Sequence, residues 1–277
     1  LKNAFTVDVE EWFHICGVDG ELRQENWLNL PSRVVATTNR LLDLLDRRNV
    51  FATFFVLGWV ADHHPGLVER IRMAGHEIAS HGYDHRRVYE LTPESFTEDL
   101  DRSLSALGRA GARSVFGYRA PEWSINDRSL WALDILAARD FRYDSSMTAL
   151  PMIGNPAYRQ TPHERRTASG TLLEFPPLIG RRFGQNYPMG GGWGLRMHSA
   201  RTVLREIERR NRDGAAVALF VHPWELDPDP PRTRLPLGPR FAHYFCLSGF
   251  ERRLDEILAG SDFAPMGTVL QRELEAA

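Results

Sequence analysis

Asp8 and Glu10 end an apolar run near the N-terminus, two residues apart. In an extended strand that spacing sends both carboxylates to one side, with Val7 and Val9 on the other and Glu11 turned to the face opposite Glu10. His81 and His85 stand in His-Gly-Tyr-Asp-His, an interval that on a helical turn puts both imidazoles on one side. Two imidazoles and a carboxylate form an open three-ligand set that leaves a coordination position for water. Zinc there would lower the pKa of that water to roughly 7. Arg119, in Tyr-Arg-Ala-Pro-Glu-Trp, can aim a guanidinium at a carboxylate in a cleft. His222 interrupts the apolar run Leu-Phe-Val-His-Pro-Trp-Glu; paired with Asp144 it would be held protonated and could act as a general acid. Each residue alone also has a plain structural reading: a solvated strand end, a chance histidine pair, a surface guanidinium, a turn cap, a hydrogen-bonded core histidine.

What unites these residues is the elements that must carry them. Short β-rich runs are expected at 4–9, 51–57, 76–80, 115–119, 141–144, 171–175 and 216–222. Between them lie amphipathic stretches: one capped by Ser32, one broken at Pro65, one opened by Thr92-Pro93-Glu94, and two near 128–138 and 199–212. Ser248 and Glu251 read as a capping box for a last helix, with a short strand near 263–266. Strands alternating with helices imply a parallel α/β architecture. About seven such units favour a barrel, with an open doubly wound sheet as the alternative. Asp8, His81, Arg119, Asp144 and His222 all sit at or just past C-terminal strand ends, which in a parallel barrel share the face where active sites are built.

Composition narrows the classes further. The 277 residues carry a net charge of −2, with 43% hydrophobic and 25% charged residues, an ordinary globular balance with no nucleic-acid signature. No apolar run is long enough for an integral membrane segment. Cys16 and Cys246 are the only cysteines, too few and too far apart for a disulfide framework, thiolate zinc finger or iron–sulfur cluster. Lys2 is the only lysine, so a phosphate loop or Schiff base has no candidate. The triple glycine 190–192 reads instead as a flexible wall of a substrate cleft. No signal-peptide pattern is visible, so a cytoplasmic location is expected over a secreted one. No linker interrupts the chain. Residues 1–277 are expected to form a single catalytic domain, with a stiff proline-rich loop and a helical extension over about 223–277.

Thr-Val-Asp8-Val-Glu10, His81-Gly-Tyr-Asp-His85, Arg119-Ala-Pro121-Glu-Trp123, Asp144-Ser-Ser and Phe-Val-His222 resemble, in order and spacing, the five motifs of the polysaccharide deacetylase (NodB-homology) family. His222-Pro-Trp-Glu225, Gly190-Gly-Gly-Trp193 and Arg240-Phe-Ala-His-Tyr244 are similar to the subgroup found beside exopolysaccharide and exosortase loci. The resemblance implies a distorted (β/α) barrel and a metal-dependent hydrolase acting on carbon–nitrogen bonds other than peptide bonds. It would remove acetyl groups, chiefly N-acetyl, from an amino-sugar-containing exopolysaccharide or its precursor. It implies one divalent ion, zinc being expected, on Glu10, His81 and His85. Asp8 would be the base, oriented by Arg119, and His222 the acid, tuned by Asp144. Pro121, Trp123, Trp193 and Trp224 would meet the acetylated carbohydrate; Trp12 could likewise offer an apolar face to a sugar ring, and all four tryptophans are also core candidates. This chain departs from the family in the first motif, where Val9 holds the place of a second aspartate and Glu10 follows it. Two alternatives remain at this point: a glycosidase pairing Asp8 with Glu122 or Glu225, and a non-catalytic carbohydrate-binding protein with a degenerate metal site.

Overall fold

A computed structural model describes residues 1–18 and 20–276. Strand β1 (Asn3–Val9) is buried along its whole length. Phe5, Val7 and Val9 join the large outer core, whereas Ala4 packs into a separate inner cluster. Alternation along the strand therefore turns Thr6 and Asp8 inward with Ala4.

The elements that follow are α1 (Val34–Arg47), β2 (Thr53–Val56), α2 (Gly58–His63), α3 (Pro65–Met73), β3 (Glu77–Ser80), α4 (Pro93–Arg109) and β4 (Gly117–Tyr118). Next come α5 (Trp131–Ala138), β5 (Tyr143–Asp144), β6 (His163–Thr167), β7 (Gly170–Glu174), β8 (Ile179–Arg182) and β9 (Gln185–Pro188). The chain then runs through α6 (Gly192–Met197), α7 (Ala200–Arg212), β10 (Ala218–Val221), α8 (Leu237–Tyr244), α9 (Phe250–Ala259), β11 (Phe263–Ala264) and α10 (Met266–Ala276). Seven strands run parallel in the order β10-β1-β2-β3-β4-β5-β7, with β6 antiparallel on β7 and β11 a further parallel partner of β1. Single bridges, Pro177 to Ala218 and Gly191 to Phe220, link the chain beyond β7 back to β10. The parallel arc is thus completed by isolated contacts instead of a full ladder, which makes it a distorted (β/α) barrel. Its interior is narrow and filled by Ala4, Ala79, Ala216, Ala218 and Ala264 around Phe55, Tyr143 and Phe175.

Helix α1 shows how the outer layer is fixed. Val34, Leu41, Leu42, Leu44 and Leu45 are buried on one face, the stripe an amphipathic helix turns to a core. Its N-terminus is capped from a distance, not by Ser32: the Glu11 carboxylate accepts from the Arg33 and Val34 amides at 2.9 and 3.2 Å, and from the Ser32 hydroxyl. A carboxylate there satisfies orphan donors and complements the helix dipole. Thr92 does cap α4, accepting from Ser95 N while Ser95 Oγ accepts from Thr92 N.

Other expectations need correction. Helix α9 begins after Gly249 at φ 72°, without a side-chain cap, so Ser248 and Glu251 form no capping box. Strand β6 and the β8–β9 hairpin escaped notice because they are largely exposed and polar, and such strands leave no apolar run to read. The proline-rich segment is a loop only in part, since α8 starts inside it.

Candidate active site

Strands β1, β3 and β10 deliver side chains from their C-terminal ends to a cavity of about 370 Å³. Asp8, Glu10, His81, His85 and His222 line it. Arg119 does not line the cavity itself but is fully buried against Asp8. Its Nη1 donates to Asp8 Oδ1 at 2.6 Å and Thr6 Oγ1 at 2.9 Å, and its Nη2 to Ser145 Oγ at 2.9 Å. A guanidinium with this many fixed partners holds one orientation, and holds Asp8 in one as well.

Glu10, His81 and His85 offer one donor atom each within 4.8 Å of one another, and all three are buried. The histidines do not sit on a helix, as their spacing suggested. Gly82 at φ 75° and His85 at φ 52° bend an irregular loop. Buried Asp99 cradles that loop by accepting from the Tyr83 and Asp84 amides at 2.8 and 3.1 Å. His81 Nδ1 lies 2.7 Å from the Arg119 carbonyl. A carbonyl only accepts, so Nδ1 carries the proton and Nε2 keeps a lone pair for a cation. Burial lowers the His81 pKa to about 4, consistent with a neutral ligand. Glu10 Oε2 lies 2.7 Å from His85 Nε2 and 3.9 Å from His81 Nε2, yet makes no hydrogen bond of good geometry. A buried carboxylate oxygen without a donor, facing two imidazole nitrogens, fits a divalent cation. Cys16 braces the far side of His85: its Sγ is 3.4 Å from Nδ1 and donates to the His85 carbonyl at 3.1 Å.

His222 follows β10, and its partner is not Asp144. Asp144 is fully buried, accepts from Ser146 Oγ and N, and shares its surroundings with the Glu174 carboxyl. It holds the turn after β5 and never reaches the imidazole. His222 Nδ1 instead lies 3.2 Å from Glu225 Oε2, which also accepts the His222 amide at 2.8 Å. Glu225 Oε1 is 2.7 Å from Arg196 Nε, and both side chains are fully buried. The Arg196 guanidinium in turn donates to the carbonyls of Ala242, His243 and Phe245 on and after α8. Burial opposes charge on His222, but Glu10, Glu225 and Asp8 outweigh it and push the pKa up to about 9. With Nδ1 facing a carboxylate, Nε2 is the nitrogen left for proton transfer.

Trp123, Trp193 and Trp224 all line the cavity, but Pro121 does not; it is buried and opens the turn Pro121–Trp123. Trp12 is a core residue, its indole N–H donated to the Pro31 carbonyl at 2.9 Å. Gly190, Gly191 and Gly192 form part of the wall. Close packing accounts for two of them: a Cβ would fall 2.6 Å from the Leu178 carbonyl oxygen at Gly190 and 2.2 Å from the Phe220 ring at Gly191. Sequence reasoning missed Asp99, Arg196, His14 and His243. Glu225 was in view as part of a motif and as a carboxylate of the rival glycosidase, but not as the partner of His222.

Residues 29–140 match the family described as Polysaccharide deacetylase, and residues 145–271 match a Domain of unknown function (DUF3473). Over residues 29–140 the chain is therefore similar to the polysaccharide deacetylase family. Among curated relatives, the peptidoglycan-N-acetylglucosamine deacetylase of Bacillus cereus is 32% identical over 98 residues, 35% of this chain and 36% of that protein. The peptidoglycan-N-acetylglucosamine deacetylase PgdA of Listeria monocytogenes is 46% identical over 77 residues, 27% of this chain and 16% of that protein. The chain therefore spans well under two thirds of the length of these relatives. A crystal structure provisionally named a polysaccharide deacetylase, from Mycobacterium smegmatis, superposes with a TM-score of 0.64 at 24% identity, over 99% of this chain and 90% of that one. That likeness establishes the deacetylase fold. Asp8 and Glu10 precede the first matched segment, and His222, Glu225 and Arg196 fall in the second. No helix among the described residues is long and apolar enough to cross a membrane.

Proposed function

We propose that this chain is a metal-dependent deacetylase that hydrolyses the acetamide of an N-acetylated amino sugar, within an exopolysaccharide or its precursor. The carrying observation is the convergence of Glu10, His81 and His85 within 4.8 Å, with Asp8 on Arg119 to one side and His222 on Glu225 to the other. Two imidazoles and one carboxylate suit zinc with an open position. When bound, zinc would polarise the acetyl carbonyl and make water acidic enough to ionise near neutrality. Asp8, fixed by Arg119, accepts the proton of the attacking water. His222 gives its Nε2 proton to the nitrogen that departs, since an amine leaves poorly unless protonated. Trp123 and Trp193 offer apolar faces to sugar rings. Residues 1–277 act as one catalytic unit in this reading, because both matched segments furnish the same site.

The rival readings lose support on specific contacts. A glycosidase needs a second free carboxyl, but Glu225 is paired with Arg196 and Glu122 with Arg87 at 2.6 Å. A decayed metal site would not keep three buried donors convergent. Metal analysis coupled to acetate release from a panel of N-acetylated oligosaccharides tests the proposal. Acetate release that survives complete chelation overturns it, as does zinc-loaded protein that deacetylates none of the panel.

A further inference from the structure

Trp224 occupies an unusual place. Its ring lies between two imidazoles, with centroids 5.1 Å from His222 at 18° and 4.2 Å from His243 at 26°. Its Nε1 donates to Glu10 Oε1 at 3.0 Å. Indole is a donor only, so this bond commits one oxygen of the carboxylate and leaves the other. That other oxygen, Oε2, is the one facing His81 and His85.

We infer that Trp224 is the positioning residue that holds Glu10 as a metal ligand. The inference rests on the proposed metal site and assigns a role there to an indole just past β10, the strand that pairs with β1. The physical need is visible in the first strand. A glutamate has one more rotatable bond than an aspartate, and Glu10 sits beyond the last residue of β1. Its carboxylate must be fixed by something other than its own backbone. Side chains that hold metal ligands in place commonly contribute ten- to a hundredfold in affinity. The brace is itself braced. Trp224 is 7% exposed, and His243, 4% exposed, arrives from α8. The segment matched to a domain of unknown function would thereby act on the metal through one hydrogen bond.

The test is zinc affinity of the full chain, measured by competition with a chromophoric chelator. Trp224→Phe keeps an aromatic ring in the stack and removes the N–H. It should weaken zinc binding by roughly ten- to a hundredfold while the metal-free protein, though melting somewhat earlier, keeps the wild-type circular dichroism below its transition. In a Glu10→Ala background, Trp224→Phe should cost nothing more, because its only route to the metal is gone. Zinc affinity within threefold of wild type in Trp224→Phe overturns the inference, and so does an equal loss in the Glu10→Ala background. A second measurement needs no folded tryptophan variant. The Trp224 indole N–H resonance should move on zinc addition to the wild type and move upfield in Glu10→Ala; an unmoved resonance also overturns the inference. If Glu10→Ala and His81→Ala themselves bind zinc as wild type does, the metal-site reading fails, and this inference with it.

Discussion

The two sides of the cavity are built differently. On the metal side, Asp8 and Glu10 come from β1, His81 and His85 from the end of β3 beyond the intervening β2, and Arg119 from β4, and each acts close to where its strand ends. On the acid side, His222 depends on Glu225 three residues on, then on Arg196 from α6, then on carbonyls of α8. One side is a set of strand ends. The other is a chain of contacts that exists only once three separate segments, 222–225, α6 and α8, have packed. The first starts from strand ends and adds local contacts such as the Asp99 cradle under the His81–His85 loop; the second depends on tertiary packing throughout.

The largest effect should come from breaking the metal side at a ligand. His81→Ala should remove most of the bound zinc by elemental analysis and take acetate release to background, as chelation of the wild type should. A His81→Ala protein with one zinc per chain would mean that the strand-end geometry does not define the site. Asp8→Asn should separate base from ligand. The amide is isosteric and can still face Arg119, so zinc content should hold while the rate falls on the order of 10²–10⁴-fold. Near-wild-type acetate release from that variant would remove Asp8 from the mechanism.

This contrast explains what the sequence made legible. Parallel strands with chemistry at their C-terminal ends follow from alternation and periodicity, so the barrel and its reactive face could be read. The His81–His85 pair was found for the wrong local reason: its spacing suggested a helical turn, but Gly82 and Asp99 shape a loop. Asp144 was assigned to His222 because both end strands, but the turn after β5 points the carboxylate at Ser146 and Glu174. No spacing rule encodes Arg196, since its charge matters only where packing carries it to Glu225.

The acid side can be sharpened by pH. Burial disfavours charge on His222, while Glu10, Glu225 and Asp8 favour it. A cation on Glu10 would take up that carboxylate's influence, leaving Glu225 as the hydrogen-bonded partner. A general acid works only while protonated, so a lowered pKa moves the alkaline limb of the rate profile downward. Glu225→Gln should move it by about 1–3 units, and Asp144→Asn should leave it in place. A shift in Asp144→Asn without one in Glu225→Gln would reverse the assignment made from the geometry. Because Glu225→Gln leaves Arg196 buried without its charge partner, the variant should also melt earlier, and the profiles belong below its transition.

The smallest effect concerns the buried carboxyl pair beside the site. Burial, and then the Asp144 charge, hold Glu174 well above the ordinary glutamate range, and burial also raises Asp144. The pair therefore keeps a proton in the folded chain that an unfolded chain releases near the ordinary carboxylate pKa. A raised carboxyl pKa means that the folded state binds more protons, so stability from this pair is fully present below the unfolded pKa and is lost as pH rises through the folded value. Glutamine at position 174 mimics the protonated acid: its carbonyl can accept the Met147 amide, as Glu174 Oε1 does at 3.1 Å, and its amide can donate to Asp144. Glu174→Gln should thus match wild type near pH 5 and exceed it near pH 8 by about 2–4 °C, what roughly 1 kcal/mol is worth in a chain of this size. Acetate release should be little changed, because Asp144 and Glu174 hold a turn and do not touch the reacting atoms. Parallel melting curves for the two proteins from pH 5 to pH 8 would show that the pair carries no extra proton.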